Sequence, residues 1–148
     1  MILFPVMMIL VFAGLSAWDI KCKKLPTGLI IWGFLIAGIR IVLMVLGAGP
    51  LTERLHSVAE ALFGALPGLA MVILSYVSDK IGRGDGLVIM IAGMTGNFHF
   101  SVILICMACI LVALPGVVLL ATGKIRKNTS LPFVPFVTIS YLILMLLS

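Results

Sequence analysis

The chain has 148 residues, 63% of them hydrophobic and only 10% charged, with a net charge of +5 and a mean hydropathy of +1.34. These values exclude a disordered chain, which lacks the apolar residues for a core, and a water-soluble domain, which could not cover so much apolar surface. What remains is a polytopic membrane protein.

Backbone amides in lipid must be satisfied internally, and the apolar runs lack the short alternation of a barrel, so the spans are helices. Six runs predict an all-α fold of six transmembrane helices in a single bundle, at 2–18, 26–46, 55–77, 86–96, 98–122 and 132–147. The first lacks the basic stretch of a cleaved signal peptide and is read as a mature helix. The fourth is short for a full crossing, and Gly96-Asn97 marks the turn that follows it.

By parity, Lys21, Lys23, Lys24, Lys80, Arg83, Lys124, Arg126 and Lys127 fall in loops on one side. The positive-inside rule makes that side cytoplasmic, with both termini outside. Topology and anionic lipid account for the basic charge, so lipid is the expected partner and nucleic acid is not. Arg40 lies within the second span and is expected to snorkel toward the outer interface. Cys106 and Cys109 lie deep in an apolar run, without a second pair or a His-rich segment, and read as helix-packing residues. No His-Glu or His-x-x-x-His spacing suggests a metal, and no cofactor is implied.

The chemistry concentrates on two carboxylates. Asp19 closes the first span and Asp85 opens the fourth, which places both at the cytoplasmic ends of their helices. Charge at a membrane boundary is costly, so such residues are functional candidates. Two close carboxyl groups cannot easily both ionise, and the pair then supplies an acid and a base that can direct water onto an amide. The pair titrates as a unit. Helix-end electrostatics disfavour charge on Asp19 at a C-terminus and favour it on Asp85 at an N-terminus, making Asp19 the expected proton holder. Gly82, Gly84 and Gly86 flank Asp85, where missing side chains permit unusual dihedrals and close approach of an extended substrate.

Three motifs together carry a resemblance. Gly82-x-Gly84-Asp85 is similar to the GxGD signature of intramembrane aspartyl proteases. The stretch from Asp19 to Pro26, an aspartate followed by mostly basic or polar residues and then Leu25-Pro26, resembles the first-aspartate motif of type IV prepilin peptidases. Leu131-Pro132-Phe133-Val134-Pro135-Phe136 resembles the proline-phenylalanine repeat that opens the last helix of that family. The resemblance covers most of the chain and implies a single transmembrane peptidase domain, 1–148, with Asp19 and Asp85 catalytic. The implied activity is removal of the short basic leader from prepilin-like precursors at the cytoplasmic membrane, with the active site facing the cytoplasm. The family often has a lysine two residues after the second aspartate, where this chain has Leu87. The cysteine-rich insert of its methylating members is absent, so cleavage without N-methylation is expected.

Asp79, in the same loop as Asp85, is a solvated charge that can attract a basic leader. Pro26, Pro132 and Pro135 suit helix starts, and Pro132 and Pro135 could also help hold substrate extended beside the dyad. Pro67 and Pro115 fall inside spans and are expected to kink them. Two other classes fit the same boundary carboxylates: a small proton-coupled transporter, and a non-catalytic assembly subunit of a pilus or secretion system.

Overall fold

The computed structural model describes residues 3–22, 26–77, 82–122 and 132–147. These form six α-helices and, among the described residues, no strand: α1 (Leu3–Cys22), α2 (Thr27–Leu46), α3 (Leu51–Val77), α4 (Arg83–Met94), α5 (Phe98–Ala121) and α6 (Val134–Leu147). The six apolar runs thus become six helices, but only α1, α2, α3 and α5 are long and apolar enough to cross a membrane. With 12 residues, α4 rises about 18 Å, well short of a hydrocarbon core of roughly 30 Å. With 14 residues, α6 rises about 21 Å.

Helix ends shift from the sequence reading where polar residues adjoin the apolar runs. The first helix continues past Trp18 to Cys22, so Asp19 lies in its last turns. The third begins at Leu51 and carries Glu53 and Arg54 in its first turn, since carboxylates are favourable there and helix propensity does not stop where hydropathy falls. The fourth begins at Arg83, which puts Asp85 inside a helix rather than in a loop before one. The Gly96-Asn97 turn is present, and Asn97 Oδ1 accepts the Phe100 N–H at 2.9 Å, capping α5. Pro67 and Pro115 both lie inside continuous helices.

The core forms around α4, whose Val88, Ile89, Ile91 and Ala92 are fully buried. It packs on α2, α3, α5 and α6, while α1 packs on α2 and α6. Met8, Phe12 and Leu15 of α1 and Val134, Val137 and Tyr141 of α6 complete the interior. Large apolar side chains such as Leu10, Trp32, Leu46 and Leu114 are exposed on the outer surface. That distribution suits lipid, which solvates such side chains as well as a protein core does. Cys106 and Cys109 also point outward, because the inward stripe of α5 is taken by Ser101, Leu104 and Ala108. The expected packing role for these cysteines against neighbouring helices is therefore not what the fold uses.

Within the bundle, α3 and α4 make the tightest pair. A Cβ on Gly64 would collide with the Gly93 carbonyl, one on Gly93 with the Gly64 carbonyl, and one on Gly68 with the Met90 backbone. Small residues let the two backbones touch, the same device that drives helix association in lipid. Ser101 Oγ of α5 closes the seam by donating to Gly64 O at 2.6 Å.

Candidate active site at the Asp19 and Asp85 end of the bundle

Alternating helix directions bring the C-termini of α1 and α3 to the same end as the N-termini of α2, α4 and α6, and both aspartates lie at that end. Asp85, in the first turn of α4, is within electrostatic reach of Asp19 although the two are far apart in the sequence.

Asp19 is held from the opposite direction. Its Oδ2 accepts the Val134 N–H, the first amide of α6, at 3.4 Å, and the Phe133 N–H also faces this carboxylate. The sequence makes these donors available. The opening amides of a helix have no partner within it, and Pro135, in the first turn, contributes none. Thr138 Oγ1, one turn further on, donates to Phe12 O of α1 at 3.2 Å and to Val134 O at 2.9 Å, tying α6 to α1 at the required height. Val134 and Thr138 are thus site residues that the sequence reading missed. The signal was a Val-Pro helix start, whose free amide needs an acceptor.

The two carboxylates differ in surroundings. Asp19 is buried, with 7% of its surface exposed, and faces backbone donors, whereas Asp85 is half-buried. Each stands at a helix N-terminus, Asp85 in the first turn of α4 and Asp19 opposite the first amide of α6, where negative charge is stabilised.

The glycines beside Asp85 have roles different from those expected. Gly82 precedes α4 with φ −66° and ψ 123°, an ordinary extended backbone. Among the described residues the glycine with positive φ is Gly49, far from the site in sequence. What Gly82 supplies is space: a Cβ there would lie 2.7 Å from Asp85 Oδ2, so its hydrogen lets the carboxylate fold back over the helix start. Gly86 is consumed by helix packing, since its Cβ would fall 2.7 Å from Val72 Cγ2 and 2.8 Å from Val72 N. It is buried and offers no surface to a substrate. Gly84, between them, is half-buried at the open side of the turn.

Pro26 begins α2, its carbonyl accepting the Leu29 N–H at 3.1 Å. Pro132 precedes α6, and the Phe133 carbonyl after it accepts Phe136 N at 3.0 Å and Val137 N at 3.2 Å. The expectation for Asp79 lies outside the described residues. His56 sits in the second turn of α3, facing Glu60 at 3.7 Å. Among the described residues no group of three or more His, Cys, Asp or Glu is placed to hold a metal.

Arg40, half-buried, donates from its Nη1 to Met94 O at 2.8 Å, at the C-terminus of α4. A helix that ends inside the bundle leaves carbonyls that lipid cannot solvate, and a guanidinium satisfies one of them.

Compared with known proteins, the chain matches no protein family, no curated protein and no solved structure.

Proposed function

We propose that this protein is a membrane aspartyl endopeptidase that removes the short basic leader of prepilin-like precursors at the cytoplasmic face of the cytoplasmic membrane. The observation that carries this reading is the coupling of Asp85 to Asp19 at one end of the bundle. The order and type of the flanking motifs, resembling those of type IV prepilin peptidases, support the choice of substrate. All six helices are assigned to the membrane, α4 and α6 as short segments sheltered by the longer ones. The basic residues of the odd loops put the dyad on the cytoplasmic side and both termini outside.

In this mechanism the anionic Asp19, steadied by the Val134 amide, takes a proton from a water molecule as its oxygen bonds to the scissile carbonyl carbon. Asp85, in its protonated form, gives its proton to the carbonyl oxygen, so that a neutral gem-diol forms. The proton on Asp19 then passes to the departing amine as the C–N bond breaks, and the diol proton returns to Asp85. Both carboxyl groups end as they began. The hydrophobic segment behind the leader of the precursor can reach the site through lipid, since the outer faces of the helices are apolar.

Purified protein in detergent or nanodiscs, incubated with a prepilin-like precursor, tests the proposal. Leader removal by the wild type and none by Asp19→Asn or Asp85→Asn, both inserted normally, is the expected result. Assembly supported by both variants indicates a scaffold. Proton-linked transport in liposomes without cleavage indicates a transporter.

A further inference from the structure

The two carboxylates are carried by different helix pairs, and each pair is fastened internally. Asp85 belongs to the α3–α4 pair, joined along Gly64, Gly68 and Gly93. Asp19 belongs to the α1–α6 pair, joined by Thr138 to Phe12 O and by Val134 N–H to Asp19 itself. Between the pairs, the apolar packing around α4 is supplemented by a polar cluster at the opposite end of that helix.

There, Arg40 of α2 donates to Met94 O at 2.8 Å, and Thr95, which follows α4, pairs its Oγ1 with the Tyr141 hydroxyl of α6 at 3.0 Å. Thr95 is itself anchored on the helix, its Oγ1 2.6 Å and its N–H 3.1 Å from Ala92 O. The Tyr141 ring is wedged edge-on between Phe12 of α1, at 5.1 Å, and Phe100 of α5, at 5.6 Å. Arg40 also lies within electrostatic reach of the Tyr141 hydroxyl. Helix α4 has only 12 residues, so polar contacts at its C-terminus add to the packing that sets its depth and rotation. A slip of one residue would move Asp85 by about 1.5 Å along the axis and about 100° around it.

We infer that Arg40 and Tyr141 are positioning residues, which lock the C-terminus of α4 to α2 and α6 and thereby keep Asp85 opposite Asp19. The inference deepens the proposed function and takes its catalytic meaning from it, but the geometry can be read without any cleavage assay. Nothing in it requires either residue to touch a substrate.

The test is disulfide capture between Asp19→Cys and Asp85→Cys in nanodiscs, in a chain whose Cys22, Cys106 and Cys109, all exposed, are replaced by alanine. Capture should be fast with Arg40 present and slower by roughly tenfold or more in Arg40→Met, because a charge-assisted hydrogen bond to a half-buried carbonyl is lost. Arg40→Lys, which keeps a cationic donor, should recover most of the rate. Tyr141→Phe keeps both ring contacts, removes only the hydroxyl, and should also slow capture, so it decides the matter if Arg40→Met fails to fold. Unchanged capture in Arg40→Met and Tyr141→Phe overturns the positioning role while leaving the dyad intact. Absent capture even with Arg40 and Tyr141 in place overturns the dyad, and the positioning role with it.

Discussion

Gly68→Val should unfold the bundle far more readily than substitutions on its exposed apolar face. A Cβ at position 68 would land on the backbone of Met90 and on its Cβ, so relief requires α3 and α4 to part rather than a side chain to turn. Overpacking a close contact costs typically about 1–3 kcal/mol, and the upper end applies where the obstacle is backbone. For a chain of this size about 3 kcal/mol amounts to roughly 6–12 °C in Tm. Thermal unfolding in detergent, followed by the fluorescence of Trp18 and Trp32, measures it. Leu114→Val, on the exposed face of α5, should move the midpoint little. An unchanged midpoint in Gly68→Val would refute the picture of two backbones in contact along the α3–α4 seam.

Three further outcomes follow from the same geometry. Asp19→Asn and Asp85→Asn should each reduce cleavage by roughly 10²–10⁴-fold or beyond, the range for loss of a general acid or base, measured by gel shift of the precursor. Val134→Pro removes the amide that faces Asp19 while keeping a helix start, where proline is tolerated, and should lower kcat by about tenfold or more with little change in KM; a wild-type kcat would show that the amide is idle. Gly93→Val should destabilise by more than about 3 kcal/mol, since its Cβ lands on the Gly64 carbonyl and neither backbone can retreat, and an unchanged unfolding midpoint would contradict the close α3–α4 seam.

Much of the fold was legible because lipid imposes a simple rule. Runs of apolar residues long enough to bury their backbone became helices, and the loops between them were marked by charge, glycine and proline. The fourth run was legible as short for a crossing, but the shortness of α6 was not, since hydropathy reports which solvent a segment prefers and not where its helix begins. That Asp19 and Asp85 share one end of the bundle was legible from parity alone. Their roles were not, because the amide that faces Asp19 comes from α6, at Val134, and that contact is set by packing. The same limit explains Arg40: an arginine in a span suggests an interface, whereas here the unsatisfied end of α4 recruits it inward. The glycines misled for a related reason. A residue without a side chain can open space for a substrate or for another helix, and Gly86 shows the second use.

The most direct measurement is leader removal by Asp19→Asn, by Asp85→Asn and by the double variant in nanodiscs. A shared site requires the double variant to lose about as much activity as either single one, because two groups acting as a unit are disabled by removing either member. Losses that multiply would show two independent carboxylates, and no shared site.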